Sequence, residues 1–381
     1  MTKENPVVLQ ILPRLETGGV ERGTVEIASA LKQVGWKSIV VSGGGGLVRE
    51  LERLGTTHIA LDVYSKNPFV MKKNAKKLAE IIREYGVDIV HARSRAPAWS
   101  AKWAAEMTEV PFLTTFHGRY NLGPFDIKKS YNRVMTEGRL VIAVSNFIKD
   151  HILETYKIDP EKIRVIHRGA DVEKFDTKKV HQNRLIALVE KWRVPEDKPI
   201  IMLPGRLTRW KGQSVMIEAL SLMKHKDVCC LLVGSDQGRV KYRKELEEKV
   251  KTLGLGAAVH IVDHCSEMDV AYTLSQIVVS TSVEPEAFGR VLPEAQSMER
   301  IVVGTSHGGA METVFDGKTG FLVPPNDPQA LADVLDKILA LPAGEKLKIQ
   351  QAARKSVSES FSKDLMCEKT LSVYKEILGI S

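Results

Sequence analysis

The chain has 381 residues, of which 43% are hydrophobic, with 55 Lys and Arg against 47 Asp and Glu for a net charge of +8. That length exceeds what one core usually serves, so two domains of ordinary size are expected, each with a substantial interior. No apolar run approaches the ~18 residues of a spanning helix, and Cys229, Cys230, Cys265 and Cys367 show no Cys-x-x-Cys or zinc spacing, so neither a transmembrane helix nor a zinc site is expected.

In chain order, short apolar strands alternate with amphipathic helices, the pattern of parallel α/β layers. Strands are expected at Val7–Leu12, Ser38–Ser42, His58–Leu61, Ile89–Ala92, Phe112–Thr115, Leu140–Val144 and Ile163–Ile166. Helices are expected near Gly23–Val34, Lys72–Tyr85, Ala98–Met107 and Asn146–Tyr156, with Ser145 as an N-cap. The loop Glu16–Gly23 after the first strand carries glycines that permit close backbone approach to a ligand. A polar, charged stretch over Asp176–Lys198, ending in Pro195 to Pro199, reads as a hinge. The alternation then repeats from Ile200 to about Leu341, and a last amphipathic helix covers about Lys363–Leu378. The implied domains are 1–180, 181–360 and a terminal helix over 361–381. Cys229 and Cys230 lie in an apolar strand pattern and read as buried thiols. With no leader in Met1–Pro6, the chain is expected in the cytosol, with any membrane contact peripheral.

The densest chemistry lies at Glu286-Ala-Phe-Gly-Arg-Val-Leu-Pro-Glu294, between the strand Ile277–Ser280 and a helical pattern. Backbone amides at a helix start bind phosphate, and carboxylates grip ribose or sugar hydroxyls, so the pair suits a nucleotide-sugar. Alone, they read equally well as two solvated glutamates near a helix start. Upstream, Arg206 and Lys211 sit on the loop between strand Ile200–Leu203 and helix Val215–Leu220, the usual ligand edge of a doubly wound sheet. Arg as a planar fork and Lys as a point charge suit a diphosphate, although either alone reads as a basic surface loop. Downstream come His307-Gly308-Gly309, Glu312, and the turn Asp316-Gly317 to Gly320.

Together, "GRLTRWKG", "EAFGRVLPEA", "GGAMETVFDGKTGFLVPPNDPQAL" and the amino-terminal "GGVERG" resemble the retaining glycosyltransferases of family four, among them bacterial cell-envelope and lipopolysaccharide sugar transferases. The resemblance spans nearly the whole chain. It implies the GT-B fold: an α/β architecture of two Rossmann-like domains facing across a cleft, with the C-terminal helix crossing back to the N-terminal domain. It implies an acceptor-binding first domain and a second domain that binds a nucleotide-diphosphate sugar. Arg206 and Lys211 then correspond to diphosphate ligands, Glu294 to the ribose carboxylate and Glu286 to the one facing the transferred sugar. Phe288 and Gly289 would offer backbone amides, Gly18 and Gly19 would approach the donor, and His117 would contact its sugar. Glu286, His117, Arg206 and Lys211 form the expected catalytic set, acting by positioning and electrostatics, with Arg206 and Lys211 in place of a metal and no cofactor.

The sequence departs from that family in places. Glu299-Arg300-Ile301 stands where Gly-x-Pro is usual, which implies a mildly strained or altered helix exit. Pro293 implies a helix that begins near Leu292 or bends there. Arg168, in Ile-His-Arg-Gly-Ala-Asp, has no counterpart role. Residues 1–184 carry 30 basic and 21 acidic side chains, and Lys72, Lys73, Lys76 and Lys77 share one helix face. A basic acceptor domain fits an anionic lipid surface or phosphorylated glycolipid at the inner face of the cytoplasmic membrane, while each cluster also reads as a solvated face. His91 and Arg93, at a strand end, are further candidates for an anionic acceptor. Nucleic acid is disfavoured, because the clusters lack interleaved aromatics. Gly43–Gly46 reads as a flexible loop and Gly317-Lys318-Thr319 as a turn rather than a phosphate loop. The expected activity is sugar transfer to a hydroxyl of a cell-envelope glycan or glycolipid. A sugar-nucleotide epimerase of the same architecture and a non-catalytic basic binding protein are the alternatives.

Overall fold

The computed structural model describes residues 5–16, 18–195 and 197–380. Thr17 of the Glu16–Gly23 loop, Glu196 of the expected hinge and most of Met1–Pro6 lie outside the described residues. The chain divides into two compact units, Met1–Arg168 with Lys363–Ser381, and Gly169–Ser362.

In the first unit the elements are β1 (Val7–Ile11), α1 (Gly19–Gln33), β2 (Lys37–Ser42), α2 (Val48–Arg53), β3 (Thr57–Ala60), α3 (Pro68–Tyr85) and β4 (Ile89–Ala92). They continue with α4 (Arg95–Thr108), β5 (Phe112–Phe116), α5 (Lys129–Asn132), β6 (Leu140–Ala143), α6 (Asn146–Tyr156) and β7 (Ile163–Val165). All seven strands run parallel in the order β3-β2-β1-β4-β5-β6-β7. The order reverses between β1 and β4, and the loops leaving these strands open the crevice where doubly wound sheets bind ligands. Ser145 caps α6 as expected, its hydroxyl accepting from Ile148 N–H at 3.1 Å. Helix α3 starts four residues before the Lys72 expected from periodicity. Asn67 Oδ1 accepts from Phe69 N–H at 2.9 Å, and Pro68 presets the first turn.

The second unit holds α7 (Gln182–Trp192), β8 (Ile200–Pro204), α8 (Gln213–Leu222), β9 (Cys229–Val233), α9 (Val240–Thr252), β10 (Val259–Val262), α10 (Met268–Leu274) and β11 (Ile277–Ser280). It ends with α11 (Val291–Ser297), β12 (Ile301–Thr305), α12 (Ala310–Thr313), β13 (Phe321–Val323), α13 (Pro328–Ala340) and α14 (Ala343–Ser360). Its parallel sheet runs β10-β9-β8-β11-β12-β13, so the reversal falls between β8 and β11. Cys229 and Cys230 are buried in β9 as expected, and burial pushes the Cys229 thiol up to about 11. Helix α15 (Lys363–Leu378) belongs to the first unit, where Met366, Cys367, Val373, Tyr374 and Ile377 join a core with Ile27, Leu31, Ile89 and Ile142.

Three expectations from the sequence are corrected. The two units divide at Arg168–Gly169 and Ser362–Lys363, rather than within Asp176–Lys198 or after residues 180 and 360. Helix α7 presents Leu185, Leu188, Val189 and Trp192 at i, i+3, i+4 and i+7 to the core of the second unit, while its charges cover the other face. Gly43–Gly46 is a braced loop: Gly43 N–H donates to Pro13 O at 2.9 Å, and Leu15 N–H to Gly44 O at 2.8 Å. A Cβ at Gly45 would collide with the Leu15 carbonyl, which is the physical need for glycine there. His91 and Arg93, expected at a strand end open to an acceptor, are buried and held by partners within the first unit. The His91 ring meets Tyr374 Oη and Thr115 Oγ1, each at 2.7 Å, and Arg93 Nη1 donates to Gln10 Oε1 at 3.2 Å.

Candidate active site

The two loops that leave β8 and β11 meet across the reversal of the second sheet. After β8 the chain turns through Gly205 and a short 3-10 turn, Arg209–Lys211, before Gly212 starts α8. Gly212 has φ 71, and a Cβ there would strike the Thr281 carbonyl, so only glycine lets this loop lie against the one after β11. Thr281 Oγ1 seals the contact by donating to Gly212 O at 3.0 Å.

This close approach brings together two side chains 75 residues apart. Lys211 Nζ lies 2.7 Å from Glu286 Oε1, with side chains only 12% and 18% exposed. Ser282 Oγ donates to the same oxygen at 2.5 Å and Ser280 Oγ at 3.3 Å. Burial pushes Glu286 upward, but the Lys211 charge and these donors outweigh it and hold the carboxyl below its ordinary value. All three donors converge on Oε1, and Oε2 takes none among the described residues. The Lys211 ammonium also lies over the Trp210 ring, 4.5 Å from its centroid. Arg206 is different: it is exposed, and its guanidinium has no partner among the described residues, while its carbonyl accepts from Gln213 Nε2 at 2.9 Å.

The His307-Gly308-Gly309 segment explains itself as the support of the Glu286 loop. Gly309 N–H donates to Glu286 O at 2.9 Å, and a Cβ on Gly308 or Gly309 would collide with the backbone of Glu286 or Phe288. His307 Nε2 lies 2.7 Å from Ser282 O, fixing the serine that contacts Glu286. Phe288 buries its ring with Ala170, Val357 and Phe361, and Gly289 has φ 79 with no hydrogen bond from its N–H among the described residues. Glu294 lies in the first turn of α11, where Tyr272 Oη donates to Oε2 at 3.1 Å and Arg290 Nε lies 3.3 Å from Oε1. Burial, followed by the Glu294 charge, pushes the Tyr272 phenol far up, so it serves as a permanent donor.

Both departures in α11 resolve locally. The helix begins at Val291 rather than Leu292, which puts Pro293 in the first turn where its missing N–H loses no helical bond. Glu299 takes the left-handed position after the helix at φ 55, with Arg300 N–H donating to Ala295 O and Glu299 N–H to Gln296 O.

Residues 187–356 match the model of the Glycosyl transferases group 1 family and residues 17–174 that of Glycosyltransferase Family 4. A crystal structure of a glycosyltransferase from Rickettsia africae is 46% identical, covers all of both chains and superposes with a TM-score of 0.92. The chain belongs to the family-four glycosyltransferases. The transferase also resembles the D-inositol 3-phosphate glycosyltransferase of Xylanimonas cellulosilytica, 29% identical over 78% of this chain and 74% of that one. Anabaena HepE, solved with UDP and glucose, shares the GT-B fold at 23% identity, with a TM-score of 0.84 over 98% of this chain and all of that one. Membership of a transferase family turns the choice against an epimerase and against a non-catalytic binder.

The rest of the transferase's expected site residues lie in the first unit, where Gly18 and Gly19 follow β1 and His117 follows β5. Gly18 is the N-cap of α1 and exposed, and Arg22 N–H donates to its carbonyl at 3.0 Å. Arg168, left without a role by the sequence, is buried; it donates to Gly19 O and occupies the space a Cβ at Gly23 would fill. It thus fixes the glycine turn from below. His117 Nε2 is buried with no hydrogen-bond partner in the described structure, and burial, then Arg168 and Arg93, hold the imidazole neutral. Sequence reasoning missed Ser280, Ser282 and Tyr272, and singled out Arg168 without giving it a role. The alternation Ser280-Thr281-Ser282 at a strand's C-terminal end was the available signal for two of them.

Proposed function

We propose that the transferase moves a sugar from a nucleoside-diphosphate sugar to a hydroxyl of a cell-envelope glycan or glycolipid, with retention at the anomeric carbon. The observation that carries this reading is the Lys211–Glu286 pair at the strand reversal, beside the unpaired Arg206. Arg206 and Lys211 hold the diphosphate, Glu294 the ribose, and Glu286 the transferred sugar, while the Gly289 amide and those of Phe288, Gly18 and Gly19 line the donor. An ionised Glu286 suits positive charge building on the ring and cannot donate a proton. Its Oε1 is committed to Lys211 and two serines, leaving Oε2 toward ligand. No residue stands out as a nucleophile, so the reading is front-face attack, with a leaving phosphate oxygen taking the acceptor proton. His117, neutral and with an open nitrogen, contacts the sugar.

The two cations replace a metal as the counter-charge of the leaving group. The acceptor class rests on charge. The first unit holds 29 basic and 21 acidic residues, the second 26 of each, so the whole net charge lies on the acceptor side. Relatives named for inositol 3-phosphate fit an anionic acceptor of this kind.

The test separates transition-state from ground-state contacts. Arg206→Ala should fold, still bind donor, and lose roughly 10²–10³ in kcat, as for one preorganised donor to developing charge. Glu294→Ala should weaken donor binding instead, because ribose contacts change little along the reaction. Near-normal turnover of Arg206→Ala at saturating donor would place the phosphate elsewhere. Thermal shift with uridine and guanosine diphosphates and their sugars identifies the donor.

A further inference from the structure

The first unit carries an apolar and basic edge that neither its core nor the proposed chemistry uses. Helix α3 buries Met71, Asn74, Ala75, Leu78, Ala79 and Ile82. Its outer face carries Phe69, Lys72, Lys73, Lys76 and Lys77, in which Phe69, Lys72, Lys73 and Lys76 repeat at i, i+3, i+4 and i+7. The first acidic residue of the helix is Glu80. None of these four lysines forms an ion pair among the described residues. Phe69 is 84% exposed, and the helix start uses only its backbone N–H, not its ring.

A second apolar tip lies on the segment after β5. Phe125 is 99% and Ile127 73% exposed, followed by Lys128 and Lys129. Phe125 and Asp126 both adopt left-handed backbone, at φ 52 and 58, which costs a non-glycine residue energy. The segment is nevertheless fastened: Lys128 N–H donates to Leu122 O at 2.8 Å and Asn132 Nδ2 to Asn121 O at 3.3 Å. Consecutive residues of α4 hold both tips. Ser100 Oγ donates to Met71 O at 3.0 Å, in the first turn of α3, and Trp99 Nε1 to Tyr131 O at 3.0 Å, in α5. Two protruding apolar points therefore flank one end of α4, each followed in the chain by unpaired or clustered lysines.

We propose that this edge docks on an anionic lipid bilayer, with Phe69, Phe125 and Ile127 entering the headgroup–acyl boundary and Lys72, Lys73, Lys76, Lys77, Lys128 and Lys129 on the headgroups. Single protruding apolar side chains suit a fluid surface, and uncompensated lysines behind them suit its negative potential. The inference deepens the acceptor reading by placing the acceptor on a membrane.

The experiment uses the full chain without any sugar nucleotide, so its failure leaves the transfer reading untouched. Partitioning is measured onto phosphatidylcholine vesicles with and without phosphatidylglycerol, at low and high salt. Preference for the anionic vesicles, weakened by salt, is expected. The variant Lys72→Glu/Lys73→Glu/Lys76→Glu/Lys77→Glu should lose on the order of 10²–10³-fold. Phe125→Ser and Phe69→Ser should each lose about tenfold while keeping the salt dependence. Phe125→Trp should be quenched by brominated acyl chains beyond the wild-type background. Equal partitioning of the quadruple variant overturns the proposal, as does equal binding to single-stranded DNA or soluble acidic polysaccharide with no vesicle preference. Anionic binding with Phe125→Trp unquenched overturns the apolar entry. Thermal unfolding of each variant shows that it is folded, and unchanged donor hydrolysis by the quadruple variant separates docking from chemistry.

Discussion

Lys211→Ala should damage both stability and turnover, and the structure separates the two effects. The Lys211–Glu286 pair is 2.7 Å long, with 12% and 18% of the side chains exposed. Removing one partner of a fully buried pair costs about 3–5 kcal/mol, because the other charge stays behind. The residual exposure here and the hydroxyls of Ser280 and Ser282 reduce this to about 2–3 kcal/mol. In a unit of this size, that lowers Tm by roughly 5–10 °C. Arg206→Ala removes an exposed, unpaired side chain and should stay within about 0.5 kcal/mol of wild type.

The pH dependence fixes the cause. In the wild type, Glu286 is held below its ordinary value, so its contribution is present above the unfolded value of about 4.3 and is lost as pH falls through the lower folded value. Without Lys211, burial dominates and raises the carboxyl. The variant is then penalised at neutral pH and relieved in acid as Glu286 takes a proton. Thermal unfolding at pH 7 and near pH 5 should show the gap to wild type narrowing in acid, and Lys211→Ala/Glu286→Gln should recover much of the pH 7 loss. A Lys211→Ala protein that melts with wild type, or a gap constant in pH, would refute the buried-pair argument.

Other outcomes follow from single contacts. Tyr272→Phe should raise the donor dissociation constant by about fivefold to tenfold with kcat little changed, since Glu294 keeps Arg290 but loses a donor worth about 1 kcal/mol; isothermal titration measures it. Glu299→Gly should stabilise the protein by about 0.5–1 kcal/mol in denaturant unfolding, because it relieves a left-handed glutamate at some cost in unfolded-chain entropy. Turnover should survive a strong chelator, with Arg206 and Lys211 as counter-charges; loss restored by magnesium or manganese would break that part of the mechanism.

What was legible in the sequence follows the range of the interactions. Local periodicity revealed all seven strands of the first sheet, five of them because buried parallel strands are nearly continuous apolar runs, while the edge strands β3 and β7 are only partly buried. It also revealed the α6 cap at Ser145, which needs only three residues of context. It failed at α7, where five polar or charged residues in the helix masked an apolar stripe of Leu185, Leu188, Val189 and Trp192. It failed at Gly43–Gly46, where the need for glycine at Gly45 comes from the Leu15 carbonyl on another loop. The sequence put Lys211 and Glu286 on loops after two strands, but not as partners. Lys211 meets Glu286 only because β8 and β11 are neighbours at the reversal of the strand order, a relation no window of sequence contains. The same adjacency brings Ser280 and Ser282 to the carboxylate and decides its ionisation. Motifs therefore named candidates for a diphosphate and a sugar. Strand order determined that the carboxylate would be shared with a lysine and kept charged, and that is the property on which the proposed chemistry turns.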